Sequence, residues 1–200
     1  MKKSTVDLLP QKREHLKEII KRDGIVFREV TLSSKLKSDF YYDIKTIVNS
    51  EGVVLIGELM LAKIRELFPA TRSIGGLESG ALPVTTATIL CSNQVNEEHK
   101  LTGFFVRKET KNHGLQKKIE GIALNPLVVV DDVVTTGQSV IDAANALVTA
   151  GYSPSGIISV IDREDERNKL RDGMHKYYSL FKHSEFEDFI KAKKQEQKIS

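Results

Sequence analysis

Short apolar runs alternate with longer segments whose apolar residues recur at helical spacing over most of this chain. The short runs are typical of buried strands, and the spaced segments are typical of amphipathic helices. The pattern predicts strands at 72–75, 103–108, 127–130, 156–161 and 177–181. It predicts helices at 51–68, 81–91, 139–150 and 184–193, a charged helical patch at 164–170 and a polar gap before 127. This alternation favours an α/β fold with a mostly parallel central sheet flanked by helices.

The first part of the chain has a different pattern. Residues 11–22 have their apolar positions on one face and are followed by Gly24, which predicts a helix that ends in a glycine cap. Two short strands are predicted next, at 25–32 and 40–44. We therefore expect a small N-terminal hood formed by residues 1–45, followed by a core formed by residues 46–200.

The segment LVVVDDVVTTGQSV, residues 127–140, combines a buried strand with unusual chemistry. Hydroxyls and backbone N–H groups follow the strand at a predicted helix N-terminus, which attracts phosphate. Asp131 and Asp132 repel phosphate, but they suit sugar hydroxyls or a divalent cation. A ligand that carries both a phosphate and a ribose satisfies the whole segment. The alternative is an ordinary strand, turn and helix in which Asp and Thr only cap the helix.

Polar segments follow three other predicted strands, and ligands of parallel sheets bind beyond the carboxyl ends of strands. GGLESG, residues 75–80, predicts either a tight turn or a loop whose backbone approaches a diphosphate. RKETKNHGLQKK, residues 107–118, predicts either a solvated surface loop or a mobile cationic lid over phosphates. DRED, residues 162–165, follows the strand after the phosphate segment.

Composition narrows the class of protein. The chain has 200 residues, of which 40% are hydrophobic and 28% charged, and these values are those of a globular protein. A net charge of +3 is too small to indicate nucleic-acid binding. The chain has no GxxxxGK[ST] or GxGxxG motif, so ATP and NAD are not the expected ligands. Without a signal peptide or an apolar run long enough for a bilayer, and with Cys91 as its one cysteine, the protein is expected in the cytoplasm.

Four motifs together resemble one enzyme family. Residues 127–140 are similar to the phosphoribosyl diphosphate (PRPP) motif of type I phosphoribosyltransferases: an apolar strand, paired acids, two small or apolar residues, Thr, Thr or Ala, and Gly. RKETKNHG is similar to the catalytic loop of orotate phosphoribosyltransferases, and GLESGALP to their diphosphate loop. Asp162, Arg163 and Glu164 match that family's pyrimidine-binding segment. The motifs occur in the family's order over residues 75–164.

The resemblance implies the type I phosphoribosyltransferase fold and a pentosyl transfer. Members of this family transfer the phosphoribosyl group of PRPP to orotate, giving orotidine 5′-monophosphate and diphosphate in pyrimidine (UMP) biosynthesis. The implied cofactor is Mg²⁺. The implied assembly is a homodimer whose active sites are shared across the interface, with no membrane or nucleic-acid partner.

The resemblance also implies a role for each motif residue. Asp131 and Asp132 would hold the ribose hydroxyls and, through water or the ribose, the metal. The next seven residues would wrap the 5′-phosphate: Val133, Val134, Thr135, Thr136, Gly137, Gln138 and Ser139. Thr135 would also contact orotate, and Arg163 would bind its carboxylate or a carbonyl, for which a planar guanidinium is well shaped. The diphosphate loop would be Glu78, Ser79 and Gly80.

The cationic loop would supply catalysis. Lys111 is the predicted principal catalytic residue, because a lysine there neutralises charge that grows on the departing diphosphate. Arg107 and His113 would assist it, and all three would contact PRPP together with Lys108. In the family these loop residues serve the neighbouring subunit's site, whereas Lys108 contacts the donor in its own subunit.

The chain departs from the family pattern in the hood and the diphosphate loop. The hood lysine of the family has no direct counterpart, which leaves Lys35, Lys37 or neither to reach the substrate. SDFYYD, residues 38–43, replaces a Ser-Pro-Tyr-Phe run, so that Tyr41 or Tyr42 would either cover orotate or pack in the core. Ser79 replaces a lysine of some relatives. His15, His99, His175 and His183 have no metal-ligand spacing and are assigned no function.

Two other functions compete with this one. A regulator could keep the PRPP fold as a sensor, but it would need a DNA-binding appendage with a recognition helix, and the first thirty residues predict one helix followed by a strand. A transferase for a purine or another base is the second alternative. The residues RKETKNHG and Arg163 favour orotate over it.

Overall fold

The computed structural model describes residues 8–31, 37–48, 51–95, 100–108 and 118–199. Its helices are α1 (Leu9–Ile19), α2 (Glu51–Leu67), α3 (Ala81–Gln94), α4 (Gln138–Thr149) and α5 (Glu187–Ile199). Its strands are β1 (Ile25–Thr31), β2 (Lys37–Tyr42), β3 (Ser73–Leu77), β4 (Thr102–Val106), β5 (Ile119–Gly121), β6 (Leu127–Val134), β7 (Pro154–Asp162) and β8 (Tyr177–Lys182). The described chain also has a π-helical turn at Ile20–Gly24. It has 3₁₀ turns at Ile44–Ile47, Lys169–Asp172 and His183–Glu185.

Six strands form the central sheet in the order β5-β4-β3-β6-β7-β8. All neighbouring pairs are parallel except β4 and β5, which are antiparallel. Helices α2 and α3 belong to the apolar core on one face, whereas α4 belongs to the core on the other face. The prediction of a mostly parallel sheet flanked by helices is therefore confirmed.

Strand β6 lies in the middle of this sheet because its residues are apolar on both sides. Val128 and Val130 join the core with α2 and α3, while Leu127 and Val129 join the core with α4, and all four are fully buried. Such β-branched side chains fit a pleated surface that is covered on both faces. Helix α4 matches them with buried residues at helical spacing: Val140, Ala143, Ala144 and Leu147.

The sequence-based boundaries need three corrections in the core. Strand β6 continues to Val134, so the acid pair lies inside the strand rather than after it. The polar gap before residue 127 contains β5, which was not predicted because it has only three residues and pairs antiparallel at the sheet edge. The charged helical patch at 164–170 is wrong, since irregular backbone, a turn and a 3₁₀ turn replace it.

Hydrogen bonds from side chains explain why residues 164–170 are not helical. The Asp162 carboxylate accepts the backbone N–H of Glu164 at 2.8 Å, and the Asn168 side chain accepts the N–H of Leu170 at 3.0 Å. Glu164 also has a positive φ of 53°. Asp and Asn side chains compete with helical hydrogen bonding in this way, which charge spacing alone does not reveal.

The predicted hood corresponds to a separate two-stranded antiparallel sheet of β1 and β2. Helix α1 precedes it and packs on the core through Leu16 and Ile19, which are both buried. Gly24 does not have the positive φ of a glycine cap, because the helix passes through a π-helical turn directly into β1. The division at residue 45 stays a prediction. In the described part of the chain, no helix is long and apolar enough to cross a membrane.

Candidate active site

The parallel strands bring four of the predicted motifs to one edge of the sheet. Leu77 pairs with Val106, and Val134 pairs with Asp162, so the segments that follow β3, β4, β6 and β7 begin side by side. The neighbours β3 and β6 continue into α3 and α4, which lie on opposite faces of the sheet. Where connections diverge in this way they leave a crevice, and ligands of open α/β sheets bind there.

A small polar cradle forms after β6. Residues 133–140 and Asp131 line a cavity of about 50 Å³, which has room for several water-sized groups. Gly137 precedes α4 and has a φ of 76°, a conformation that most residues with a Cβ avoid. The backbone N–H groups at the start of α4 and the two threonine hydroxyls border this space, as an anion-binding helix N-terminus requires.

The segment after β7 packs against the cradle and is hydrogen-bonded to it. A Cβ atom on Gly137 would come within 2.8 Å of Leu170 and 3.0 Å of Asn168, so the chain there tolerates no side chain. The backbone N–H of Lys169 donates to the carbonyl of Thr136 at 3.1 Å, and its ammonium donates to Gln138 at 2.7 Å. Sequence reasoning missed this role because it had assigned these residues to a helix.

The acid pair lies beside the cradle. Asp131 is 7% exposed and Asp132 is half-buried. The backbone N–H of Asp132 donates to the Asp131 carboxylate at 3.0 Å, and the N–H of Val133 donates to the Asp132 carboxylate at 2.7 Å. Burial, followed by the nearby charge of Asp132, raises the pKa of Asp131 well above its usual value. A ligand that donates hydrogen bonds to this carboxylate, or brings a positive charge near it, would stabilise its charged form.

The predicted diphosphate loop approaches the acids through its backbone. A Cβ atom on Gly80 would lie 2.5 Å from an Asp132 oxygen and 2.9 Å from an Asp131 oxygen. The preceding peptide bond, between Glu78 and Ser79, is cis. The backbone N–H of Glu78 donates to the carbonyl of Val106 at 2.9 Å, which fixes this loop beside the end of β4.

The cationic segment begins at the same edge. The backbone N–H of Lys108 donates to the Glu78 carboxylate at 3.3 Å, while the Lys108 side chain is exposed. Arg107 forms an ion pair with Glu120 on β5, and its guanidinium lies 5.9 Å from the ring centre of Phe105. Lys111 and His113 lie outside the described residues.

Arg163 reaches the site from the end of β7. Its backbone N–H donates to the carbonyl of Val134 at 2.9 Å, next to the cradle residue Thr135. Its half-buried guanidinium lies 5.1 Å from the ring centre of Phe40 and 5.8 Å from that of Tyr42. Burial lowers the pKa of Arg163. Among the described residues the structure gives this guanidinium no ion pair or hydrogen bond, so its donors remain available.

The hood adds Phe40, which the sequence analysis did not single out, beside Tyr42, which it did. Phe40 and Tyr42 of β2 are buried against His183, which had been assigned no function. Tyr42 thus packs in a ring cluster, whereas Tyr41 is half-buried. Lys37 is exposed and pairs with Glu29 at 3.0 Å, and Lys35 lies outside the described residues. No local signal links Phe40 to His183, since only the fold brings them together.

The donor set at this edge also limits how a metal could bind. In the described ranges no group of three or more His, Cys, Asp or Glu could hold a metal ion. Two adjacent carboxylates suit Mg²⁺, which is commonly bound through one or two carboxylates, several waters and substrate phosphates. The site therefore fits a magnesium ion that arrives with a polyphosphate ligand.

Comparisons with known proteins point to one family. The chain is 38% identical over 190 residues to an orotate phosphoribosyltransferase of Aquifex aeolicus, covering 89% of this chain and 99% of that protein. It is 36% identical over 182 residues to an orotate phosphoribosyltransferase of Rhodopseudomonas palustris, covering 87% and 95% of the two chains. No family model matches the chain.

Solved structures agree with these relatives. The orotate phosphoribosyltransferase of Mycobacterium tuberculosis, crystallised with PRPP, superposes with a TM-score of 0.66 and 29% identity. The superposition covers 86% of this chain and 97% of that one. The likeness therefore spans most of both chains.

Proposed function

This chain belongs to the orotate phosphoribosyltransferase family, and from that premise we propose that it transfers the phosphoribosyl group of PRPP to orotate. The observation that carries the proposal is that three features meet at one sheet edge: an acid pair, a small cradle at a helix N-terminus, and an arginine with no ion pair among the described residues. The first two suit a phosphorylated sugar. The third suits a planar, anionic acceptor such as orotate.

The donor would lie along the end of β6. The carboxylates of Asp131 and Asp132 would accept hydrogen bonds from the two ribose hydroxyls, which would lower the cost of keeping Asp131 charged and buried. The N–H groups and hydroxyls of residues 133–139 would hold the 5′-phosphate. The Gly80 backbone, in contact with both acids, would lie near the diphosphate.

The charges around the leaving diphosphate would come from the segment after β4. Lys108 lies beside the Glu78 loop, and Arg107 would exchange its Glu120 partner for a phosphate oxygen. Lys111 is the proposed principal catalytic residue, assisted by His113, because both follow these cations in the same loop. Charge-assisted bonds to a departing anion are the largest contribution such a loop can make.

Transfer requires a short sequence of bond changes. The bond from C1′ to the diphosphate oxygen breaks, and the diphosphate leaves with the electron pair. Orotate N1 bonds to C1′, which passes through an oxocarbenium-like state, and the N1 proton passes to an oxygen of the departing diphosphate. The site must also exclude water, which would otherwise attack C1′. Mg²⁺, bound with the donor phosphates and near Asp131 and Asp132, would neutralise part of the diphosphate charge.

The acceptor would lie between the end of β7 and the hood. The Arg163 guanidinium offers parallel donors to a carboxylate or carbonyl, and Thr135 lies next to the Val134 carbonyl that holds the Arg163 backbone. We also propose that the protein acts as a homodimer in which Arg107, Lys111 and His113 serve the partner's site while Lys108 serves its own, and that it works in the cytoplasm. Family membership supports the dimer, and the single buried thiol of Cys91 suits a reducing compartment.

The decisive experiment is an assay with purified protein, Mg²⁺, PRPP and orotate, which follows the loss of orotate absorbance. Steady turnover is expected with orotate, and not with uracil, adenine or hypoxanthine. Turnover with one of those bases but not with orotate would refute the acceptor. PRPP binding with no turnover on any base would favour the sensor function instead.

Replacing Lys111→Ala should lower kcat at least about ten- to hundredfold, because one charge-assisted contact to the leaving group is lost. PRPP should still bind, and the melting temperature should not change. Lys63→Ala is a matched control, since that exposed lysine of α2 pairs only with Glu66 of its own helix at 3.1 Å. A near-normal rate in Lys111→Ala would contradict its proposed role.

A further inference from the structure

The hood and the sheet meet through a compact cluster of rings around one histidine. Tyr42 Oη lies 2.8 Å from Nδ1 of His183, and the rings of Phe40 and His183 are stacked at 5.8 Å with an interplanar angle of 15°. Phe40 and Tyr42 contact each other edge to face at 5.8 Å. Phe186 closes the cluster at 5.7 Å from Tyr42. His183 therefore contacts both rings on which Arg163 lies.

We propose that His183 is a positioning residue for the acceptor: through Tyr42 and Phe40 it holds the aromatic surface that aims the Arg163 guanidinium into the site. This inference rests on the proposed function, in which Arg163 binds orotate. It adds a specific chain of contacts that runs from the segment after β8, through the hood, to the substrate.

Few contacts fix the Arg163 side chain in the described structure. An arginine side chain has several rotatable bonds, and in the described structure no ion pair or hydrogen bond fixes this guanidinium. The ring faces of Phe40 and Tyr42 contact it, at 5.1 and 5.8 Å, and Asp165 attracts it electrostatically. Cation–π contacts of this kind stabilise a single orientation only while the rings stay in place.

The rings in turn need a polar anchor. The hood is a two-stranded sheet, which is only marginally stable without packing against other elements. The bond between Tyr42 and His183 fixes the Tyr42 ring, and stacking on His183 fixes Phe40. Lys194 of α5 adds a second attachment, since it pairs with Asp39 at 2.8 Å and lies 5.0 Å from the Phe40 ring centre.

His183 is suited to this role in its neutral form. Burial, and then the positive charge of Arg163, lower the pKa of His183 below its usual 6.5. Glu164, Glu187 and Lys194 are the other charged groups that face it. Burial also raises the pKa of Tyr42, so its hydroxyl keeps its proton. A neutral imidazole and a phenol can bond without adding a second positive charge beside Arg163.

A double-mutant cycle tests the proposal. Tyr42→Phe removes only the hydroxyl, and His183→Phe keeps a ring that can stack on Phe40. Each variant should raise the KM for orotate about 3- to 10-fold, the effect of losing one net hydrogen bond. The KM for PRPP should stay within about twofold, because the donor cradle is not part of the cluster. The double variant should be no worse than the poorer single one, since both remove the same bond.

Two further variants separate positioning from folding. His183→Asn offers an amide near the Nδ1 position and should recover most of the orotate KM. Tyr178→Phe makes the same chemical change on β8, where the ring contacts Phe68 instead of the hood, and should leave both KM values unchanged. Melting temperatures of all variants would identify any general loss of structure.

Several results would overturn the inference. If the wild-type protein turns over orotate normally and the KM for orotate is unchanged in Tyr42→Phe and His183→Phe, the positioning role of His183 is refuted while the proposed function stands. Equal rises in the KM values for orotate and PRPP, or an additive double variant, would also refute it, because the effect would then be a general disturbance. Absence of orotate transfer by the wild-type protein would overturn the proposed function and this inference together.

Discussion

At the scale of the residue, Asp131 shows how a ligand site costs stability. A carboxyl whose pKa is raised by folding contributes stability below its unfolded value, near 3.8, and that contribution is lost as the pH rises through the folded value. Above that folded value the free protein bears an unfavourable buried charge. A ligand that hydrogen-bonds this carboxylate recovers part of that free energy on binding.

Replacing Asp131→Asn should consequently stabilise the free protein and impair its function. The melting temperature at pH 7 should rise by a few degrees, because desolvation and the repulsion by Asp132 are both removed. PRPP affinity should fall about tenfold or more, the effect of losing a hydrogen bond to a charged group. Calorimetry with and without PRPP measures both quantities. Asp188→Asn, at an exposed position of α5, is the control, and a less stable Asp131→Asn would contradict the argument.

At the scale of the element, the turn between β6 and α4 depends on one backbone conformation. Gly137 has a φ of 76° and lies against Leu170 and Asn168, so the cradle and the segment after β7 share one tight contact. Gly151, at the other end of α4, has a φ of 85° but nothing within 4 Å of its Cβ position. Both glycines have a left-handed backbone conformation, but the Cβ position is crowded at Gly137 and open at Gly151.

Substitution of these two glycines by alanine should therefore have different effects. Gly151→Ala should cost about 1 kcal/mol of unfolding free energy, the penalty for a left-handed residue with a Cβ, and leave the KM for PRPP unchanged. Gly137→Ala should cost more and raise that KM at least about tenfold, because the clash displaces the phosphate-binding turn. Urea unfolding measures the loss of unfolding free energy, and steady-state kinetics measure the KM for PRPP. Equal effects of both substitutions would show that the cradle does not depend on this contact.

The same elements show what could be predicted from sequence. The strand, acid pair and cradle at 127–139 were predictable because strongly apolar, acidic and small residues follow one another directly. The segment at 164–170 was not, because Asp162 and Asn168 take backbone hydrogen bonds that a helix would need. The cluster of Phe40, Arg163 and His183 was not predictable either, since its members come from three distant parts of the chain.

At the scale of the whole molecule, the contact between hood and sheet should make stability depend on pH. Because the pKa of His183 is lowered by folding, its contribution is fully present above about 6.5 and is lost as the pH falls through its folded value. Glu164 and Asp165, whose pKa values are also lowered, act in the same direction at lower pH. Asp131 acts in the opposite direction.

Relative to His183→Phe, the wild-type protein should therefore lose stability between pH 7 and pH 5. Denaturant unfolding at several pH values measures the slope. His175→Phe is the matched control, since that half-buried histidine lies before β8 and away from the hood. Identical slopes for the wild type and His183→Phe would assign the acid sensitivity to other groups.

The division of the site between two sheets has a consequence for how such an enzyme could change. The proposed donor-binding residues Asp131 and Asp132 lie on β6, which has hydrogen-bonded neighbours on both sides. The proposed acceptor site includes Phe40 and Tyr42 of the separate two-stranded sheet. Substitutions in β1 and β2 can alter the shape of the proposed acceptor site without disturbing the central strands. One donor chemistry can thus be inherited unchanged while the choice of base diverges.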